Sequence, residues 1–304
     1  MTGEPERRIR VGRRVITAKR LDKPLFPARD GADAITKGQV IDYYRRIAET
    51  LLPHLEGRPV SLQRCPDGID DCFFQKNVPD HFPDWIGRAH LPAADKTVDY
   101  LLVENAATLV YIADQGAIAL HAGLSRVDRP EHPDRLIFDL DPPDDGFPEV
   151  RWAASVLRDA LDTMSMPSFP MTTGSRGLHV VVPLDRSASF DETREFARRL
   201  AGELAARHPE RLTVEQRKKA RKGRVFLDYL RNAYGQTAIA PYSLRTLPGA
   251  PVAAPLEWDE LDGRLRPDRW TLGNLFRRLG QRDDPFRDVR QHGVAIDPER
   301  LDQL

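Results

Sequence analysis

Two aspartates one residue apart close an apolar run in the stretch RLIFDLDPP, and they are the first candidates for chemistry. Asp139 and Asp141 follow 136–138, which reads as a buried strand. Residues i and i+2 of a strand point to the same face, about 7 Å apart, so the two carboxylates lie side by side. They repel each other unless a cation lies between them, and such hard oxygen ligands suit Mg²⁺ or Mn²⁺. Pro142 and Pro143 end the strand directly after the pair. The alternative is a polar turn that happens to follow a strand.

A third carboxylate, Asp228, lies inside another apolar run, GRVFLDYL, where an unpaired charge would be costly. If its strand lies beside the first, three carboxylates converge in the arrangement of two-metal phosphoryl transfer. The other interpretation is a buried salt bridge to an arginine such as Arg231 or Arg245.

Between these two runs lies a glycine loop, TTGSRGLHVVVPL, at 172–184. Gly174 and Gly177 allow the backbone to turn tightly and approach a ligand. The loop offers phosphate donors at Thr173, Ser175 and Arg176. It lacks the Gly-Lys-Ser/Thr ending of a Walker A loop and runs into a strand, so an ATPase of that class is disfavoured. His179 either contacts a phosphate or is a core histidine.

The composition is that of a globular protein that can bury a large core, with 304 residues of which 40% are hydrophobic. No stretch approaches the about 18 apolar residues that a membrane span needs, and the start, MTGEPERRIRVGRRV, has no apolar signal core. We therefore expect a cytoplasmic protein without a membrane partner.

The two cysteines, Cys65 and Cys72, are too few for a disulfide framework. A zinc site that combines them with His81 and His90 is disfavoured by the spacing. We expect both cysteines to be free thiols.

The chain has 46 basic and 46 acidic residues, so its net charge is zero. The distribution of these charges along the chain is more informative. Basic residues crowd the first 23 positions, and a second cluster, RKKARKGR, covers 217–224. Such patches suit phosphate backbones, although a solvated charged face is the more common explanation of a single basic run.

The elements that position these residues alternate between strands and helices. RIRVGRRVITA reads as a strand, and helices are predicted at Lys37–Leu52, Val150–Met164 and Asp191–Arg207. The fold class is therefore mixed α/β or α+β. We expect an N-terminal module at about 1–130 and a catalytic core at about 131–304, packed as one body.

Several motifs, in this order and spacing, resemble one family: FDLDP, TTGSRGLH and VFLDYLRNAYGQT followed by APYSLR. They are similar to the polymerase domain of bacterial ATP-dependent DNA ligase D, a branch of the archaeo-eukaryotic primase superfamily. The resemblance extends to LDKPLFP, GRPVSLQRCPDG, CFFQKN and AIALHAG, and so covers nearly the whole chain.

The resemblance implies a single α+β primase-polymerase domain over 1–304, with an RRM-like catalytic core packed against an N-terminal α/β module. The implied activity is template-directed nucleotide addition, preferentially of ribonucleotides, at gaps and broken DNA ends in non-homologous end joining or gap repair. The implied cofactors are two Mn²⁺ or Mg²⁺ ions, with NTP or dNTP as substrate. The implied partners are DNA with a 5′ phosphate, nucleoside triphosphates, a Ku-type end-binding protein and a DNA ligase, at the bacterial nucleoid.

The resemblance also implies roles for individual residues. The catalytic metal ligands would be Asp139, Asp141 and Asp228. The nucleotide pocket would comprise His121, Thr173, Ser175, Arg176, Gly177, His179, Arg221, Gln236 and Arg245. The 5′ phosphate would contact Lys23 and Lys37, and other DNA contacts would come from Arg64, Phe73, Phe74 and Lys76. Adjacent residues of a strand face opposite ways, so we expect one ring of the Phe pair to stack on a base.

Two positions depart from the family pattern, and two other classes of function stay open. Thr173 stands where the family often has serine, and Gln63 stands where relatives often carry a basic residue. A metal-dependent phosphatase or nuclease could use the same carboxylates. One phosphatase family with an Asp-x-Asp motif, however, has a small hydroxylated residue soon after it, where this chain has Pro142 and Pro143. The chain could also be a catalytically inactive DNA-end-binding module, which the intact aspartates disfavour.

Overall fold

The computed structural model describes residues 6–29, 33–93, 96–143 and 146–303. The first part of the chain forms β1 (Glu6–Val11), β2 (Arg14–Lys19), β3 (Pro24–Phe26), β4 (Ile35–Thr36), α1 (Lys37–Leu55), β5 (Val60–Arg64), β6 (Phe73–Gln75), β7 (Gly87–Ala93), β8 (Lys96–Leu102), α2 (Ala106–Asp114) and β9 (Ala117–Gly123). The rest forms β10 (Arg135–Asp141), α3 (Phe147–Thr163), β11 (Phe169–Thr172), β12 (Leu178–Pro183), α4 (Phe190–Arg207), β13 (Leu212–Thr213), α5 (Lys218–Arg221), β14 (Val225–Asp228), β15 (Thr237–Ile239) and α6 (Leu275–Leu279). Within these residues, no helix has both the length and the apolar character that a bilayer crossing requires.

The elements form two compact units. The first comprises Met1–Gly123, Ile239–Ala253 and Trp270–Gln281, and the second comprises Leu124–Ala238, Ala254–Arg269 and Arg282–Leu304. The sequence placed a boundary near residue 130 and assigned everything after it to the second part. The segments that return to the first unit carry Tyr242 and Leu275, which are fully buried in its apolar core. Local patterns give no means of assigning such segments to a unit.

The three predicted helices are present as α1, α3 and α4, with shifted ends. Helix α1 begins at a capping box, in which the Thr36 hydroxyl accepts from the Gln39 N–H and the Gln39 side chain accepts from the Thr36 N–H. The helix continues through Pro53 to the fully buried Leu55, beyond the predicted end at Leu52. Burial of its apolar face therefore outweighs the cost of the proline near its last turn.

The N-terminal stretch that the sequence predicted as one strand is a hairpin of β1 and β2. Gly12 forms the turn with φ of +56°, a conformation that favours glycine. Ile9 and Ile16 lie opposite each other and are buried, which fixes the register.

The expectation of free thiols is wrong, because Cys65 and Cys72 form a disulfide. The bond closes the loop between β5 and β6, whose paired ends are Arg64 and Phe73. The antiparallel pairing of these strands brings the cysteines together, and the sequence alone did not reveal that pairing.

Each unit has one main sheet. In the first unit the strands β9, β5, β8 and β7 lie side by side in this order, and β6 pairs with β5. In the second unit the order is β11-β12-β10-β14-β13, with β10 in the centre. β10 pairs antiparallel with both β12 and β14, and helices α3 and α4 both contact it. The predicted mixed α/β fold class is confirmed.

Candidate active site

The three predicted catalytic carboxylates lie on two neighbouring strands of the second unit. Asp139 of β10 lies directly opposite Asp228 of β14, and Asp141 follows Asp139 by two positions on the same face of the sheet. Asp139 and Asp228 are each 9% exposed, whereas Asp141 is half-buried. The strand of Asp228 therefore lies beside that of Asp139, which is the condition for the three carboxylates to converge.

Burial and the neighbouring negative charge make Asp141 and Asp228 harder to ionise than an exposed aspartate. Burial, followed by the charge of Asp139, raises the pKa of Asp141 above its ordinary value. Burial also raises the pKa of Asp228, and the charge of Asp139 adds to this effect. The backbone N–H of Leu230 donates to Asp228 Oδ1 at 2.7 Å and partly offsets the shift. A cation at this site would relieve the repulsion.

Two basic side chains contact the carboxylates from either side. Arg231 Nε lies 3.5 Å from Asp139 Oδ2 and 3.9 Å from Asp228 Oδ2. His179, opposite Asp139 on β12, places Nε2 3.5 Å from Asp139 Oδ1. His179 is buried, and its Nδ1 has no hydrogen-bond partner in the described part of the chain. The ion pair to Arg231 that the sequence offered as the alternative is present, and it involves the same groups that the metal hypothesis requires.

The donor chemistry of the site fits a hard divalent cation, because all three carboxylates supply oxygen ligands. As arranged over residues 6–29, 33–93, 96–143 and 146–303, no three His, Cys, Asp or Glu side chains already surround a single ion position. Arg231 occupies the side shared by Asp139 and Asp228, and its side chain is 45% exposed. Because this guanidinium can turn into solvent, an ion could take its place.

The glycine loop after β11 runs beside β10. The Thr173 N–H and hydroxyl both donate to the Gly177 carbonyl, at 3.2 and 3.1 Å, and Gly174 turns the chain with φ of +67°. A Cβ atom at Gly177 would lie 2.5 Å from the Leu140 carbonyl oxygen, so only glycine allows the loop this close to the strand. Ser175 is half-buried and Arg176 is exposed, and the charge of Arg176 offsets a small part of the burial effect that raises the pKa of Asp141. The loop thus presents donors next to the carboxylates.

Arg221, from the second basic cluster, also reaches the site. Its Nη1 lies 3.6 Å from Asp141 Oδ2, and its guanidinium stacks 4.1 Å from the centre of the Phe226 ring. Gln236 is exposed in the segment after β14. The second unit therefore gathers the predicted nucleotide residues Thr173, Ser175, Arg176, Gly177, His179, Arg221 and Gln236.

Asn232 was not singled out from the sequence, yet its hydrogen bonds help to hold the two strands that carry the carboxylates in place. Its side chain is fully buried, with Oδ1 accepting from the Ile137 N–H at 2.8 Å. Its Nδ2 donates to the carbonyls of Ile137 (2.8 Å) and Tyr229 (2.9 Å). Asn232 thus ties β10 to the turn that follows Asp228. Its position in RNAYG gave no periodic signal of burial.

We expect Asn232→Ala to lower the free energy of unfolding by about 2 to 3 kcal/mol, because buried backbone groups lose their partners. Urea denaturation measures this loss. Gln236→Ala, at an exposed neighbour, should change the stability by less than about 0.5 kcal/mol. Equal stability of the wild type and Asn232→Ala would show that these hydrogen bonds do not hold the strands together.

The predicted 5′-phosphate residues lie in the first unit, and each has an acidic partner. Lys23 pairs with Asp67. Lys37 Nζ lies 2.7 Å from Asp114 Oδ1 and donates to the Lys19 carbonyl at 2.9 Å, with both charged side chains only 10% exposed. The Lys37 ammonium therefore already has two partners, whereas Lys23 lies nearer the surface.

The remaining predicted DNA residues cluster around β6 of the first unit. Phe73 and Phe74 are 47% and 63% exposed and point to opposite sides of the strand. The Arg64 guanidinium lies 5.4 Å from the Phe73 ring centre, whereas the Phe74 ring contacts His121 edge to face at 5.3 Å. Exposed rings of this size suit base stacking, and Phe74 is the more accessible.

Two further predicted residues also belong to the first unit. Lys76, just after β6, is exposed. The backbone N–H of Arg245 donates to the Pro251 carbonyl at 2.8 Å, and the residue is half-buried.

Comparison with known proteins identifies relatives of this chain. The family described as LigD, primase-polymerase domain, matches residues 36–286. The Multifunctional non-homologous end joining DNA repair protein LigD of Mycobacterium tuberculosis is 36% identical over 257 residues, which are 81% of this chain and 33% of that protein. The Bifunctional non-homologous end joining protein LigD of Bacillus subtilis is 34% identical over 271 residues, 88% of this chain and 43% of that protein. The chain thus spans less than half the length of either relative.

A solved structure is similar over most of the chain. It is that of the polymerase domain of Mycobacterium tuberculosis Ligase D in complex with DNA. The TM-score is 0.84 at 34% sequence identity, and the match covers 91% of this chain and 98% of that one.

Proposed function

The chain belongs to the LigD primase-polymerase domain family, and from this premise we propose that it is a template-directed nucleotidyltransferase acting on DNA. The observation that carries the proposal is the alignment of Asp139 opposite Asp228, with Asp141 on the same face of the sheet. Three clustered carboxylates next to a loop of phosphate donors suit nucleotidyl transfer. A phosphatase or nuclease is the weaker candidate, because nothing at the site other than these shared carboxylates favours it.

We propose that Asp139, Asp141 and Asp228 hold two divalent ions, Mn²⁺ or Mg²⁺. When bound, such ions activate an attacking hydroxyl and neutralise charge on a triphosphate. The chain itself binds and orients the nucleotide. Arg176 and Arg221 supply positive charge to the triphosphate. The buried His179, whose Nδ1 has no hydrogen-bond partner among the described residues, can offer that nitrogen as a further donor when its hydrogen lies there.

The proposed preference for ribonucleotides has a direct test. If a polar group such as Thr173 or His121 contacts the sugar 2′-OH, a ribonucleotide gains a hydrogen bond worth about 1 to 2 kcal/mol, or roughly five- to thirty-fold in efficiency. Primer extension on gapped DNA with Mn²⁺, comparing NTP with dNTP, measures this ratio. Equal efficiency with the two sugars would contradict the preference.

The proposed substrate is DNA with a gap or a broken end that carries a 5′ phosphate. In this proposal Lys23 contacts the phosphate, and Phe74, Arg64 and Lys76 contact the DNA around it. Binding titrations with matched 5′-phosphate and 5′-hydroxyl gapped duplexes measure the Lys23 contact. A preference of about 1 to 3 kcal/mol is expected, as for a hydrogen bond to a charged group.

The biological setting proposed is bacterial non-homologous end joining or gap repair at the nucleoid. A Ku-type end-binding protein and a DNA ligase are the proposed partners, because the relatives are named for end joining. Co-purification of the chain with each candidate on broken DNA would test these partners.

A further inference from the structure

Lys23, the proposed 5′-phosphate contact, has an anion beside it before any DNA binds. Its ammonium group donates a charge-assisted hydrogen bond to Asp67 Oδ1. The Lys23 side chain is 20% exposed, whereas that of Asp67 is 66% exposed. The hydrogen bond from Lys23 and its charge lower the pKa of the Asp67 carboxyl, so that carboxyl is ionised at neutral pH.

The position of Asp67 is fixed by the loop that carries it. Asp67 follows Pro66 in the short loop that the Cys65–Cys72 disulfide closes. The Ile69 N–H donates to the Leu25 carbonyl at 2.9 Å, which ties the loop to the strand directly after Lys23. Asp67 is therefore held beside Lys23, although its exposed carboxylate can still rotate into solvent.

A carboxylate at this point competes with a phosphate for the same ammonium group. Both are oxygen anions that accept charge-assisted hydrogen bonds from Lys23. A terminal phosphate carries a charge of about −1.5 to −2, more than the carboxylate, so it can displace Asp67. The displacement nevertheless subtracts from the affinity, because an existing ion pair is broken.

We propose that Asp67 is a specificity-determining residue that sets the size of the 5′-phosphate preference by competing with the phosphate for Lys23. The inference rests on the proposed recognition of the 5′ phosphate by Lys23. A 5′-hydroxyl end has no group to place at Lys23 and leaves the ion pair intact. Asp67 therefore weakens the binding of phosphorylated ends selectively, which favours release of the end.

The test is the ratio of the dissociation constants for 5′-hydroxyl and 5′-phosphate versions of one gapped duplex. Asp67→Asn should raise this ratio about fivefold, the upper range for an exposed ion pair. Asp71→Asn is the matched control, because it removes the same charge from an exposed position in the same loop. That control should tighten both DNAs alike and leave the ratio unchanged.

The Lys23→Ala background separates the possible outcomes. There, Asp67→Asn should no longer change the ratio, because the group for which the anions compete is absent. The competition is overturned if Asp67→Asn has the same ratio of dissociation constants as Asp71→Asn, or a lower ratio than the wild type. Either result leaves the Lys23 contact with the phosphate intact. If the wild type binds both DNAs equally and Lys23→Ala does not change this, Lys23 does not contact the phosphate. The inference about Asp67 then fails as well.

Discussion

Asp139→Asn is expected to reduce nucleotide addition by at least about 1000-fold, or about 4 kcal/mol in activation free energy. The amide keeps the shape of the carboxylate but removes the charge that a divalent ion requires. Asp228→Asn should behave alike, because Asp228 lies directly opposite on β14. Single-turnover extension of a primer on gapped DNA measures the loss.

The same variants should bind gapped DNA nearly as tightly as the wild type, because basic and aromatic side chains elsewhere make the DNA contacts. Asp159→Asn, at an exposed position of α3, is the matched control and should extend primers normally. Wild-type extension rates in Asp139→Asn or Asp228→Asn would rule out the metal assignment.

Lys37→Met is expected to lower the free energy of unfolding by about 3 kcal/mol, because it leaves the Asp114 carboxylate buried without its cation. Adding Asp114→Leu should restore much of the stability, since two apolar side chains can replace a buried ion pair. Urea denaturation of the single and double variants measures both effects.

Lys96→Met provides the control, because Lys96 is exposed and its loss should change the stability by less than about 0.5 kcal/mol. If Lys37→Met were as stable as this control and lost only the 5′-phosphate preference, Lys37 would be a phosphate ligand and not a structural cation.

Local patterns in the sequence predicted much of the site. The apolar run ending in Asp139 and Asp141 identified a buried strand with two carboxylates on one face, and the structure has that strand as β10. The run around Asp228 identified a second strand. The sequence did not show that these two strands are neighbours, and the convergence of the three carboxylates depended on that assumption. Strand pairing depends on contacts between residues far apart in the chain.

Besides the disulfide and the division into units, the sequence did not predict several non-local polar contacts. The pairing of Lys37 with Asp114 and that of Lys23 with Asp67 join distant segments, and neither partner stands out by pattern. The same holds for Asn232, whose side chain lies in the turn after β14 and is hydrogen-bonded to Ile137 of β10. Side-chain partners of this kind follow from the tertiary fold and leave no periodic signal.

The most direct test of template-directed nucleotidyl transfer is single-nucleotide addition across a one-nucleotide gap, with Mn²⁺ present and the template base varied through all four. The proposed function predicts that the wild type adds the complementary nucleotide opposite each base and that Asp139→Asn adds none. Addition that ignores the template base, or no addition by the wild type at all, would contradict it.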